Sequence, residues 1–176
     1  PGLLVDQFGD TLVMQLQTLA MDRWKDELAN LLIEITGASE VIHRNDGSIR
    51  RLEGLEQNVS THSGGEWAPR WTTIEGFDYW LNLMSGQKTG FYLDQREQHL
   101  RLAQQVERLV AEGRKVKMLD TFCNQGAFAM HAARAGAEKV LGLDNAYDAI
   151  GQAVKNAERN EVSAVFEGAN VFDWFT

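Results

Sequence analysis

Apolar and polar positions alternate along the first part of the chain and fall into helical spacing along the second. LLVDQFGDTLVMQL, Leu3 to Leu16, sets two alternating runs around Phe8-Gly9-Asp10, the signature of a β-hairpin. Trp24, Leu28, Leu31, Leu32 and Ile35 then recur at helical spacing and the pattern stops at Gly37, which predicts a helix with those side chains on its apolar face. EVIHRND reads as a short strand, THSGGEWAPRW as a loop, and WTTIEGFDYWLNLMSG as a second hairpin with Glu75-Gly76 at its tip. Residues 1–85 are therefore expected to form a small α+β domain.

From Gly86 onward helix and strand patterns alternate. Leu102, Val106, Leu109 and Val110 share one helical face ahead of Gly113. KVKMLD, KVLGLD and SAVFEGANVF then read as strands, separated by the helices GAFAMHAARAG and AYDAIGQAVKNAERN. Strands separated by short helices imply right-handed crossovers and a parallel sheet covered by helices. The expected fold class is α/β, with residues 86–176 forming the first three strands of a Rossmann-like sheet.

Composition narrows the function classes. The chain is 44% hydrophobic and 24% charged, an ordinary globular balance. No apolar run approaches the roughly 20 residues of a membrane span, and a single cysteine excludes an intrachain disulfide. A cytoplasmic protein is expected. The start at Pro1 and the end at Thr176, just past a strand pattern, are read as those of a piece of a longer protein. A formal net charge of −8 opposes binding to a polyanion, since phosphate contacts need Lys and Arg.

Open parallel sheets bind ligands beyond the carboxyl ends of their strands, where Asp120 and Asp144 both fall. A carboxylate at the end of the second strand suits both hydroxyls of a ribose, although either Asp could simply cap the next helix. The loop between them carries Gly126 but lacks Gly-x-Gly-x-x-Gly, because Thr121, Cys123 and Asn124 occupy its positions. That argues against a pyrophosphate and for a nucleoside ligand such as S-adenosylmethionine (SAM), whose carboxylate the helix N-terminus would serve. Cys123, beside Phe122, reads as a packed side chain rather than a nucleophile. In GQKTGFYLDQREQ, Asp94 and Glu97 fit an N-terminal cap, while Lys88, Thr89, Phe91, Tyr92 and Arg96 offer stacking and carboxylate-pairing groups to a SAM pocket. His43, His62, His99 and His131 show no ligand-like spacing, and no metal site is expected.

Taken together, GQKTGFYLDQR, MLDTFCNQGAFAMHAARAGAEKVLGLD and AVKNAERN resemble the RlmI-like class I SAM-dependent methyltransferases, whose best-known members methylate carbon 5 of a cytosine in large-subunit ribosomal RNA. PGLLVDQFGDTLVMQ looks like the start of that family's central domain, so the resemblance covers nearly the whole chain. It implies that Lys88, Thr89, Gly90, Phe91 and Arg96 form the pre-sheet part of a SAM pocket. It also implies that Asp120, Phe122, Asn124, Gln125 and Gly126 line the methionine moiety and that Asp144 holds the ribose. Asn170 stands where the family usually has an Asp that accepts from the adenine amino group, and Gln98-His99 where it often has Asn-Arg.

The family's RNA-binding PUA domain, its base-gripping proline motif and its nucleophilic cysteine have no counterpart in these residues. The fragment alone is expected to be inactive, because thiolate attack on the base is what activates carbon 5. Poor RNA binding by this acidic piece is expected, as is pairing of two chains through an open sheet edge. Alternatives are a methyltransferase acting on a protein, a small molecule or a guanine base, and a SAM-binding module without catalysis.

Overall fold

The computed structural model describes residues 2–176. It resolves into two compact units: one runs to Ile74 and includes Leu81–Leu93, the other comprises Glu75–Trp80 and Asp94–Thr176. Along the sequence the units therefore interleave on either side of the boundary expected at 85/86.

In the first unit β1 (Leu3–Phe8) and β2 (Thr11–Leu16) form the expected hairpin, with Phe8 opposite Thr11 and Gly9 at φ 61° in the turn. α1 (Leu19–Arg23), capped by the Thr18 hydroxyl, and α2 (Lys25–Thr36) then lead to β3 (Glu40–Asn45), which lies parallel to β2. β4 (Asn58–Thr61) completes a sheet of order β1-β2-β3-β4. Leu12, Met14, Leu16, Ala29, Ala38 and Val41 make its core, joined by Leu28, Leu32 and Ile33.

The single helix expected over this stretch is broken at Trp24, and its inward face differs from the expected one. The buried stripe centres between the rows Leu28–Leu32 and Ala29–Ile33, which leaves Leu31 and Ile35 on its outer flank, 50% and 71% exposed. Trp24 serves as the junction between the two helices and is also exposed. Gly37 ends α2 in the left-handed conformation, as expected.

Two buried arginines fix the loops of this unit. The Arg50 guanidinium donates to the Leu16 and Glu56 carbonyls and pairs with Asp22 at 2.8 Å. Arg44 donates to the carbonyls of Leu83 and Gly86 and pairs with Asp46 at 2.9 Å, so the returning segment 81–93 is held by main-chain acceptors. Charge-assisted bonds of this kind substitute for the hydration a buried guanidinium loses.

β5 (Arg70–Ile74) and β6 (Phe77–Leu81) follow, separated along the chain by Glu75-Gly76 with φ 53° and 75°. In the second unit α3 (Arg96–Ala111) precedes β7 (Lys117–Thr121), α4 (Ala127–Arg134), β8 (Lys139–Asp144), α5 (Tyr147–Arg159), β9 (Val165–Gly168) and the short α6 (Val171–Trp174). α3 starts after a 3₁₀ turn at Leu93–Gln95, with Gln95 rather than Asp94 at its N-cap position. β7, β8 and β9 form the expected parallel sheet in that order, and Val106 of α3 and Ala129 and Ala132 of α4 cluster with Val140 of β8. Among the described residues no helix is long and apolar enough to cross a membrane.

Replacing Leu12, 1% exposed, with alanine is expected to lower the unfolding free energy by about 2–5 kcal/mol. Ile35→Ala should cost less than about 0.5 kcal/mol. Denaturant titration measures both, and comparable losses would restore Ile35 to the buried face.

Candidate functional site

Parallel registration of β7 on β8 and of β8 on β9 places Asp120 opposite Gly142 and Asp144 opposite Gly168. Asp144 is thus the last residue of β8, while Asp120, expected to end its strand, lies one residue before the end of β7; both fall toward the same end of the sheet. Between β7 and α4 the loop carries three residues of positive φ, Phe122 at 64°, Asn124 at 47° and Gly126 at 83°. Two of them bear side chains in a conformation that costs each of the order of 1 kcal/mol, so the surroundings must hold them.

The surroundings that do so are hydrogen bonds to the two carboxylates and to β8. Asp144 accepts from the Asn124 backbone N–H at 2.8 Å through one oxygen and from Ala146 N–H at 2.9 Å through the other. Asp120 accepts from Ala129 N–H at 3.2 Å, inside the first turn of α4, and Cys123 N–H donates to Leu143 at 2.9 Å. Both acids therefore hold helix-proximal N–H groups, the bland role open to them from sequence, and an ionised carboxylate keeps further lone pairs for a ligand.

Electrostatics separates the members of the loop. Burial, opposed by the Ala129 bond and reinforced by the nearby Asp144 charge, pushes Asp120 up to about 6. Burial, followed by the charges of Asp120 and Asp144, pushes the Cys123 thiol up to about 12. A thiol so held is not a nucleophile at neutral pH, which agrees with its reading as a packed side chain.

The remaining loop residues frame the strand ends. Gln125 is buried, and its carbonyl accepts from the Asn156 side chain at 3.1 Å. Phe122 stands exposed with its ring 6.0 Å from that of Phe172. Asn170 is the exposed N-cap of α6, where its side-chain oxygen accepts from Phe172 N–H at 3.0 Å. The structure thus gathers Asp120, Phe122, Asn124, Gln125, Gly126, Asp144 and Asn170 at the strand ends of the second unit.

The other candidate residues are placed differently. Lys88, Thr89, Gly90 and Phe91 belong to the first unit. There the Lys88 ammonium lies 4.5 Å from the Tyr92 ring centroid, and the buried Thr89 hydroxyl donates to Asp6 at 2.5 Å. Gly90 adopts φ 121° against Leu83, and Phe91 is buried. Arg96 opens α3 in the second unit and meets Glu75 at 3.3 Å.

Sequence reasoning did not find that His99 and His131 come together with Glu75. Their donor atoms lie within 4.8 Å of one another. They stand on α3, α4 and a β-turn, so no spacing within one element could have shown it.

Known proteins match this architecture. A profile of the family described as Ribosomal protein L11 methyltransferase (PrmA) matches residues 100–173. Over 98% of its length the chain is 34% identical to Ribosomal RNA large subunit methyltransferase I of Photobacterium profundum and 33% identical to the protein of that name from Vibrio vulnificus. It spans 43% of the length of each. A crystal structure of a protein described as a methyltransferase, complexed with SAH, matches 99% of this chain and 43% of its own at a TM-score of 0.77 and 21% identity. At that identity the likeness establishes the fold alone. The α/β class and the resemblance read from the sequence are both borne out.

An added Cβ at Gly126 would stand 2.7 Å from the Phe166 ring, at a φ that side chains avoid. Gly126→Ala is accordingly expected to cost about 1–3 kcal/mol. Gly151→Ala, with nothing within 4 Å in the body of α5, should instead gain about 0.5–1 kcal/mol. Equal effects in thermal unfolding would remove the close-approach argument.

Proposed function

Over the 43% of their length that it spans, the chain is a homologue of the ribosomal RNA large subunit methyltransferase I proteins, and from this kinship we propose that it forms the SAM-binding part of such an enzyme. The observation that carries the reading is the pair of carboxylates at neighbouring strand ends, around a loop that a pyrophosphate could not enter as it enters a glycine-rich turn. Asp144 receives the ribose hydroxyls on lone pairs not used by Asn124 and Ala146. Asp120 faces the methionine end, where the ammonium and sulfonium charges favour its ionised form and draw its raised pKa down. Phe122, Asn124, Gln125 and Gly126 shape that end. Asn170, with its oxygen partly engaged at the α6 cap, offers a neutral acceptor to the adenine edge.

The substrate in this reading is RNA, in keeping with the relatives' name, and the compartment is the cytoplasm. The profile match to a ribosomal-protein methyltransferase weighs less on the substrate, because it is confined to residues 100–173 and such sheets serve many substrate classes. With a net charge of −8 the chain contributes little to phosphate contacts by itself.

Calorimetric titration with SAM tests the site. Asp144→Ala is expected to weaken binding at least about tenfold, the equivalent of one lost charged hydrogen-bond pair. Unchanged affinity would overturn the ribose assignment. A Lys88→Ala arm tests separately the part that the resemblance gives to Lys88, Thr89, Gly90, Phe91 and Arg96.

We further propose that two chains pair through β7, which among the described residues is hydrogen-bonded to β8 only. Light scattering is expected to show dimer growing with concentration. A constant monomer mass would remove this proposal and leave the SAM site standing.

A further inference from the structure

Apart from the strand-end loops, the second unit holds a cluster of buried donors that the family resemblance leaves unassigned. We propose that Glu75, His99 and His131 bind one divalent transition-metal ion with the ligand preferences of zinc, tying the turn before β6 to α3 and α4.

Distances carry the argument furthest. His131 Nε2 is buried with no hydrogen-bond partner and lies 3.6 Å from Glu75 Oε2, too far for a hydrogen bond. His99 Nδ1 lies 3.4 Å from the same oxygen, and all three donors fall within 4.8 Å of one another. In a tetrahedral site with bonds of about 2.0–2.2 Å, neighbouring ligand atoms stand about 3.4 Å apart. The 3.6 Å between His131 Nε2 and Glu75 Oε2, poor for a hydrogen bond, is therefore a separation suited to two ligands sharing an ion. The imidazole centroids, 5.2 Å apart with planes 28° from parallel, also match the roughly 5 Å expected of two rings on one tetrahedral centre.

Backbone conformation points the same way. Glu75 adopts φ 53° at the first position of a tight turn, where Asn or Gly is favoured. A glutamate has no local reason to be there, yet its side chain is only 5% exposed and turned onto the histidines. Its second oxygen meets Arg96 Nε at 3.3 Å, a contact that orients Oε2 toward the two imidazoles as outer partners orient metal-binding carboxylates.

Aromatic rings pack against both imidazoles. Phe77 lies 4.5 Å from His131 and Phe128 4.4 Å from His99, ring centre to ring centre. Arg134, stacked on Phe77, and Arg96 oppose a cation, while the Glu75 carboxylate favours it. Two imidazoles and a carboxylate, with a water completing four ligands, form a donor set that zinc accepts.

The test titrates the metal-stripped chain with zinc against a chromogenic chelator. One equivalent is expected to bind and to raise the unfolding temperature. Glu75→Gln and His131→Gln should each lower zinc affinity at least about tenfold and abolish the temperature shift, while His62→Gln changes neither. No binding by the parent chain, or parent-like affinity in both cluster variants, overturns the proposal. If circular dichroism shows that those variants do not fold, X-ray absorption at the zinc edge of the parent chain decides: two imidazoles with oxygen ligands support the site, and any other set overturns it.

Discussion

The second unit is organised around the space taken by one ring, that of Phe166 on β9. A Cβ added at Gly126 would lie 2.7 Å from it and one added at Gly142 would lie 2.6 Å from it. Close packing leaves no room for even a single methyl group at either point. The bare backbone at Gly142 lets the ring lie over β8, and the bare backbone at Gly126 lets the loop after β7 come down over the ring. Only in that position does Cys123 N–H reach the Leu143 carbonyl and Asn124 N–H reach Asp144. The glycine of this loop thus serves close approach of chain to ring, a different task from that of the glycines in a phosphate-cradling turn.

Much of this was legible in the residues because the signals were local. Alternation around Gly9, the break at Gly37, and strands that carry Asp120 and Asp144 at or next to their ends each rest on a period or a turn preference that neighbouring residues determine. The face of α2 was misread because Trp24 and Ile35 fit a helical period as well as Ala29 and Ile33 do. Which apolar row faces inward is decided by β2 and β3, not by the helix itself. Asp94 fitted an N-cap by type, but the 3₁₀ turn at Leu93–Gln95 moved the helix start beyond it.

At the strand ends, the chain's one thiol and its two acids illustrate how burial sorts residues that look equally reactive in sequence. Desolvation raises both Asp120 and Cys123, but the carboxyl stays near the range where it can ionise and the thiol does not. The negative charge of the two carboxylates is also part of what silences the cysteine.

The interleaving of the two units has a consequence for how the chain can be divided. Residues 75–80 belong with the C-terminal unit, while 81–93 return to the N-terminal one, so the backbone passes between units at 74/75, 80/81 and 93/94. A single cut therefore cannot deliver both units whole. A piece beginning at Asp94 would lack the Asp78 and Trp80 N–H groups that bond to the side chains of Asn160 and Asn156, together with the Phe77 ring beneath Arg134. The two halves are distinct as packed bodies but not as genetic modules, and any exchange of one between proteins must carry a stretch of the other's sequence with it.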